Sequence, residues 1–233
     1  MATTPTFDPN KLASHDFDAA TKAYTKLNAD DAQPLLNRAN QMALPPGSTF
    51  KVVTAAAAIE HEGYDATRPS PAARLPAAAH QRRDRADRQR GPGLRQLHQG
   101  VSFRQAMENS CNTTFAQLAV QVGAENMAET AEGFGFNRVY FDDLQGTNGK
   151  STTAISTFPN AMDKAQTGQS GFGQFEVRAT PLQMAMVAAG LANNGSVMNP
   201  YLVDEVQSAD SDTVDTTPPS ELSKAVSPST AAR

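Results

Sequence analysis

The sequence predicts a globular chain built mainly of helices, with few strands. Hydrophobic residues make up 39% of the 233 residues, while aromatic residues make up only 6% and tryptophan is absent. This composition favours alanine-packed helices joined by loops. Apolar residues recur at helical spacing in several segments, whereas "NPYLVDEVQ" (residues 199–207) is the best candidate for a strand. The length allows one large domain or two small ones.

Helix start and stop signals divide the first part of the chain. A modest helical pattern extends from Asp16 to Leu27, and a stronger one from Ser48 to about Glu62. Gly63 follows the second pattern and is predicted to end that helix, because glycine readily adopts the left-handed conformation found there.

The second half contains four further helix signals. Ser102, followed three residues later by Gln105, forms a capping-box pattern and predicts a helix that ends near Asn109. A second helix is predicted from residue 112 or 113 to Gly123, and a third, short helix is predicted to end at residue 133. The segment 134–171 has few periodic features and is interpreted as a loop. Thr180 as N-cap and Pro181 in the first turn predict the clearest helix of the chain.

A helix start signal also occurs at the end of the chain. Ser227 can cap a helix whose first residue is Pro228, but the sequence ends at Arg233. We therefore expect that the chain has been cut short within a helix.

Charge is distributed unevenly. The chain carries a net charge of −4, but residues 66–100 contain eight arginines, no lysine and two aspartates. This segment is poor in large apolar residues and is predicted to be disordered or to have arisen from a pair of compensating frame errors. A basic arm for nucleic acid is a less favoured interpretation, because the segment lacks interleaved aromatic residues. We therefore expect no nucleic-acid partner.

Other features exclude several classes of site. No window approaches 18 continuous apolar residues, so no membrane span is predicted, and the N-terminus shows no secretory signal. The single cysteine, Cys111, excludes an internal disulfide, and the four histidines have no metal-ligand spacing with it. Neither a metal nor another cofactor is expected.

Two short motifs could carry chemistry. In "PPGSTFK", Ser48 and Lys51 are one helical turn apart and should lie on the same face. A serine hydroxyl needs a neighbouring base to become a nucleophile, and a neutral lysine can act as that base. An isolated S-x-x-K match would more simply be a capping serine beside a solvated lysine.

The second motif is Ser110-Cys111-Asn112, at a break between two predicted helices. Ser110 could relay a proton, and Asn112 could bind a substrate amide through its donor and its acceptor. Asn112 could equally cap the following helix. Cys111 is predicted to be a packed, small apolar side chain.

The stretches "PPGSTFK", "SCNTTFAQLA" and "GQFEVRATPLQMAMVAAGLANNG" resemble the transpeptidase domain of class B, monofunctional penicillin-binding proteins. The resemblance covers roughly residues 4–63 and 101–233. It implies an α/β fold, an antiparallel sheet with helices on both sides, of which this chain forms mostly the helical part.

The resemblance also implies roles for the motif residues. Ser48 would attack the D-Ala-D-Ala end of a peptidoglycan stem peptide, with Lys51 as base, Ser110 as proton relay and Asn112 as substrate contact. β-Lactams would acylate the same serine. Family members act outside the cytoplasmic membrane, and the membrane would be contacted only through an anchor that precedes the residues present here.

The sequence departs from the family in one motif. It contains no K-T-G, and "KAQTG" (residues 164–168) is no substitute because its lysine and its Thr-Gly are separated. The family places K-T-G on a strand that supplies an oxyanion-hole N–H. We therefore expect an incomplete D,D-transpeptidase, and a non-catalytic fragment that binds β-lactams or partners weakly is the alternative.

Overall fold

The computed structural model describes residues 3–71, 102–141 and 153–233. Most of the arginine-rich segment, residues 72–100, lies outside the described residues, so the disorder, frame-error and nucleic-acid interpretations stay predictions. Within the described ranges the chain forms the following α-helices: α1 Phe17–Asn28, α2 Arg38–Gln41, α3 Lys51–Glu62, α4 Phe103–Glu108, α5 Asn112–Val122, α6 Ala124–Gly133, α7 Lys164–Ser170, α8 Pro181–Ala192 and α9 Pro228–Ala231.

Most predicted helix boundaries are confirmed by the capping contacts. The Asp16 side chain accepts hydrogen bonds from the first turn of α1, and Thr180 caps α8. The reciprocal capping box of Ser102 and Gln105 is present at the start of α4. Gly63 ends α3 in the left-handed conformation, with φ of 62°.

The helix predicted from Ser48 consists of two parts. Residues Gly47–Phe50 form a 3₁₀ turn, and the α-helix starts at Lys51. The tighter turn follows Pro45 and Pro46, which cannot donate backbone hydrogen bonds to a preceding turn. Ser48 therefore lies in a 3₁₀ turn that leads directly into α3, so helical structure is present from Ser48 as predicted, and the regular α-helix begins three residues later.

The interpretation of residues 134–171 as a loop is wrong at its end. Lys164–Ser170 form α7, which begins with a capping box between Asp163 and Gln166. A seven-residue polar helix carries too little apolar periodicity to be recognised, but the Asp-x-x-Gln pattern was a usable signal.

Four short strands are present in the described residues: β1 Ser196–Met198, β2 Glu205–Gln207, β3 Thr213–Thr216 and β4 Glu221–Lys224. They form two separate antiparallel pairs, β1 with β4 and β2 with β3. Only the last three residues of the predicted strand 199–207 are extended in a sheet, and the other three strands were not predicted. These few strands agree with a mixed fold represented mostly by its helical part.

The core surrounds α3. Helices α5 and α6 both pack against it, α7 packs on the outer side of α5, and β1 packs against α8. The core is aliphatic and aromatic, and its fully buried large side chains include Phe50, Val53, Phe115, Leu118, Met127, Phe134 and Phe136. The first residues of α3 therefore lie at the centre of the packed region.

The end of the chain is attached to α3. Ser227 caps the single helical turn of α9, and its backbone N–H and hydroxyl both donate to the Glu60 carboxylate. Burial raises the pKa of Glu60, but hydrogen bonds from Thr230 and Ser227 together with nearby His61 outweigh it and hold the pKa below its ordinary value. In the part of the chain that the structure describes, no helix has the length and apolarity needed to cross a membrane.

Candidate active site

The candidate nucleophile, Ser48, lies on the exposed 3₁₀ turn that leads into α3. Gly47 begins this turn with φ of +56°, a conformation that glycine adopts without strain. The Gly47 N–H donates to the Gly173 carbonyl oxygen at 3.0 Å, and the Thr49 hydroxyl donates to the Pro46 carbonyl oxygen at 2.8 Å. These bonds fix the backbone on both sides of Ser48.

Phe50 anchors the same turn in the core. Its ring is fully buried, meets Phe136 edge-on at a centroid distance of 5.6 Å and stacks on Phe158 at 5.5 Å. Burial of a phenylalanine contributes about 1.5–3 kcal/mol, and each such aromatic pair adds about 0.5–1.5 kcal/mol. The packing of Phe50 in the core therefore stabilises the turn that presents Ser48.

The second motif forms the tight connection between α4 and α5. Ser110 has a left-handed backbone with φ of 52°, and its N–H donates to the Met107 carbonyl oxygen at 3.0 Å. The Cys111 N–H donates to the Ala106 carbonyl oxygen at 2.9 Å, and its side chain is buried, as the sequence predicted. This connection turns Ser110 and Asn112 toward the start of α3.

Lys51 joins the two motifs. Its side chain is only 1% exposed. Nζ lies 3.2 Å from Ser48 Oγ, 2.8 Å from Ser110 Oγ and 2.6 Å from both the Ser110 carbonyl oxygen and Asn112 Oδ1. Ser48, Ser110 and Asn112 are exposed, so the buried amine lies beneath three residues that solvent can reach.

The four oxygen atoms around Nζ define which hydrogen bonds each protonation state of Lys51 can make. The Ser110 carbonyl oxygen and Asn112 Oδ1 can only accept hydrogen bonds, so they take two N–H groups of the lysine. If Lys51 is neutral, its lone pair remains and can accept a proton from the Ser48 or the Ser110 hydroxyl. If Lys51 is charged, its third N–H points to one of the hydroxyls. The geometry thus suits an amine that exchanges a proton with two serines.

Burial lowers the pKa of Lys51 below the ordinary value for lysine, while its interaction with Cys111 raises it. Burial likewise raises the pKa of the Cys111 thiol, and Lys51 opposes that shift. A depressed lysine pKa increases the neutral fraction near pH 7, which is the fraction that can act as a base.

The structure brings together all four site residues predicted from the sequence. Asn112 is the first residue of α5, and Cys111 occupies the N-cap position without a side-chain cap. The alternative in which the Asn112 side chain caps α5 is therefore absent here, because Oδ1 accepts from Lys51 instead. Their catalytic roles stay a prediction.

One contributor to the site was missed from the sequence. The segment Ser170–Phe175 runs past the Ser48 turn, and Gly173 makes the backbone contact to Gly47 described above. No local pattern predicts a contact between residues so far apart in the chain. Among the described residues, no group of three histidine, cysteine, aspartate or glutamate side chains could hold a metal ion.

Comparison with known proteins decides the family. The penicillin-binding protein transpeptidase domain matches residues 1–233. The chain belongs to this family. That result confirms the family recognised from the sequence, and the match spans more of the chain than the two stretches that carried the resemblance.

The curated relatives agree with this assignment. The chain is 39% identical, over its full length, to the peptidoglycan D,D-transpeptidase PbpA of Mycolicibacterium smegmatis, and 35% identical to PbpA of Mycobacterium tuberculosis. It covers 45% and 46% of these two proteins. The chain therefore spans about half the length of the curated relatives it matches.

Solved structures show the same fold. Penicillin-binding protein A from M. tuberculosis, as an imipenem acyl-enzyme complex, matches 99% of this chain with a TM-score of 0.82 and 35% identity. The match covers 51% of the chain in that structure. The D,D-transpeptidase domain of a peptidoglycan glycosyltransferase from Eggerthella lenta matches with a TM-score of 0.73 and 29% identity. The predicted penicillin-binding fold, in partial form, is thus confirmed.

Proposed function

We propose that this chain carries the nucleophile half of a peptidoglycan D,D-transpeptidase, with Ser48 as the residue that is acylated. The observation that carries the proposal is the buried Lys51 amine, which contacts both serine hydroxyls and Asn112. Further support comes from relatives named D,D-transpeptidases and from neighbouring structures described as β-lactam acyl-enzyme complexes.

In the proposed acylation, neutral Lys51 removes the Ser48 hydroxyl proton as Oγ attacks the carbonyl carbon of the penultimate D-Ala. The tetrahedral intermediate collapses, the C–N bond to the terminal D-Ala breaks and an ester to Ser48 remains. The proton on Lys51 passes through the Ser110 hydroxyl to the departing nitrogen, so D-Ala leaves as a neutral amine. Asn112 binds an amide of the stem peptide through its exposed side chain.

The second half of the reaction reverses these proton transfers. An amine of a neighbouring stem peptide attacks the ester, a new C–N bond forms and the C–O bond to Ser48 breaks. The amine proton returns to Ser48 Oγ through Ser110 and Lys51. In a β-lactam the broken C–N bond belongs to the ring, so the leaving nitrogen stays attached to the acyl group.

The proposed substrates also indicate on which side of the cytoplasmic membrane the domain acts. Peptidoglycan stem peptides are cross-linked outside the cytoplasmic membrane, so we place the domain on that side, attached through an anchor in a longer protein. The relatives PbpA and MrdA are both named peptidoglycan D,D-transpeptidases, which supports this placement.

A second candidate is a non-catalytic fragment that binds β-lactams or partners weakly. These 233 residues contain no K-T-G sequence, a motif of the family, so the second candidate applies to these residues acting without the remaining length of their relatives. Loss of one oxyanion-hole donor typically slows catalysis by a factor on the order of 100–1,000.

A fluorescent penicillin separates the two candidates. The proposal predicts covalent labelling of the wild-type chain, detected by denaturing gel and intact mass. Labelling should vanish in Ser48→Ala and persist in Thr21→Ala, a control that removes an exposed hydroxyl of α1, outside the site. Absence of wild-type labelling at millimolar probe would contradict the enzymatic proposal, and labelling of Ser48→Ala would contradict the choice of nucleophile.

A further inference from the structure

Two glycines after α7 approach their neighbours more closely than any other residue type could: Gly173 approaches the Ser48 turn, and Gly171 approaches α5. A β-carbon at Gly173 would lie 2.3 Å from the Gly47 carbonyl oxygen and 2.7 Å from the Gly47 nitrogen. A β-carbon at Gly171 would lie 2.4 Å from Ala119 Cβ and 2.6 Å from the Phe115 carbonyl oxygen. The segment Ser170–Phe175 thus lies between α5 on one side and the Ser48 turn on the other.

Hydrogen bonds attach the same segment to both parts of the site. The Gly173 carbonyl oxygen accepts from the Gly47 N–H at 3.0 Å, directly before Ser48. The Gly171 carbonyl oxygen accepts from the hydroxyl of Thr54 at 2.8 Å. Thr54 is fully buried in α3, three residues, or just under one helical turn, after Lys51. The segment is therefore bonded to the nucleophile turn and to the helix that carries the base.

We infer that Gly171 and Gly173 are positioning residues that set the distance between Ser48 Oγ and Lys51 Nζ. This inference rests on the proposed acyl transfer at Ser48. Neither glycine touches the reacting atoms. Both act through the backbone of residues 47–54, by allowing a close approach that a side chain would prevent.

The conformation of Gly173 adds to this constraint. Its φ of +71° lies in the left-handed region, so an L-residue there is strained whatever space surrounds it. By contrast, a β-carbon at Gly168 in α7 meets its nearest neighbour, the Ala116 carbonyl oxygen, at 3.5 Å, an ordinary contact. Gly168→Ala is therefore a matched control from the preceding helix, α7, and is expected to leave the Ser48 turn in place.

The test is acylation by a chromogenic β-lactam, resolved into reversible binding and the first-order acylation step. In Gly173→Ala the Gly47 backbone must move away, and a displacement of about 1 Å at a reacting group can cost on the order of a hundredfold in rate. We expect a fall of that size in the acylation constant, with the dissociation constant of the reversible complex within about twofold of wild type. Gly168→Ala should behave like wild type.

A merely structural role gives a different result. Equal acylation constants in wild type and Gly173→Ala would overturn the inference while leaving the proposed function intact. A fall shared by binding and acylation would overturn it as well.

Amide hydrogen exchange gives a second readout that does not need acylation. The Gly47 amide should lose protection in Gly173→Ala, while the amides of α3 beyond Thr54 keep theirs. Unchanged protection at Gly47, or a loss that spreads along α3, would contradict the positioning role even if the wild-type chain does not react with β-lactams.

Thr54→Val tests the same idea if Gly173→Ala does not fold. It removes the hydroxyl that bonds the Gly171 carbonyl oxygen and keeps the side-chain volume. Its control is Thr130→Val, another buried threonine, whose hydroxyl bonds the Asn126 carbonyl oxygen within α6 and His61 in the last turn of α3, at the end of that helix away from Ser48. A slower acylation in Thr54→Val than in Thr130→Val supports the inference, and equal rates overturn it.

Discussion

The start of α3 is densely packed, whereas the ribbon formed by the paired strands β2 and β3 is exposed to solvent. Around α3, Phe50, Lys51 and Val53 are all at most 1% exposed, and partners from α5, α6 and residues 170–175 surround them. Every residue of β2 and β3 is exposed, and the two strands are paired with each other alone. The side chains that must hold fixed distances lie in the first region. The comparison indicates that dense packing beneath the solvent-exposed site residues fixes the distances between their side chains.

The largest effect is expected at Lys51. Lys51→Met keeps an unbranched side chain of similar length but has no base, so β-lactam acylation should fall on the order of a thousandfold. That factor corresponds to about 4 kcal/mol of activation free energy. The control is Lys22→Met, which replaces an exposed lysine of α1. Comparable rates in the two variants would show that the buried amine is not the base.

The next effect is on stability and concerns Phe50. Phe50→Ala removes a fully buried ring that contacts two others, and should lower the free energy of unfolding by about 3–5 kcal/mol. Phe17→Ala, at a residue that is 83% exposed, should change it by less than about 0.5 kcal/mol. Urea denaturation measures both, and equal losses would remove the distinction between core and surface.

The smallest effect is expected in the ribbon. Val214 in β3 is 66% exposed, so Val214→Thr keeps the branched shape and should change the free energy of unfolding by less than about 0.5 kcal/mol. Acylation should be unchanged. A loss above about 2 kcal/mol in urea denaturation would mean that the ribbon is part of the cooperative core.

Local sequence signals accounted for what depends on neighbouring residues. Caps at Ser102 and Thr180 predicted two helices, because a cap needs only a side chain and the next turn. Ser48 and Lys51 were paired by their spacing along the chain. The partnership of Lys51 with Ser110 and Asn112, about 60 residues away, was recognised only through the resemblance to a family.

Local sequence signals did not predict the long-range contacts or the exposed elements. The Gly47–Gly173 contact joins two glycines whose surroundings carry no pattern in common. Strands such as β3 are short and exposed on both faces, so they lack the alternation that marks a half-buried strand. Helix α7 was missed for a related reason, because its seven residues are mostly polar.

The central claim is that the Lys51 amine, kept partly neutral by burial, takes the proton of Ser48. The pH dependence of the acylation constant tests it most directly, measured for wild type and Lys51→Met under conditions where both are folded. Because burial lowers the pKa of Lys51, the wild-type constant should rise with pH through one ionisation below the ordinary lysine value of about 10.4, and Lys51→Met should lose that rise. A wild-type constant that stays flat with pH, or a rise that persists in Lys51→Met, would contradict the account.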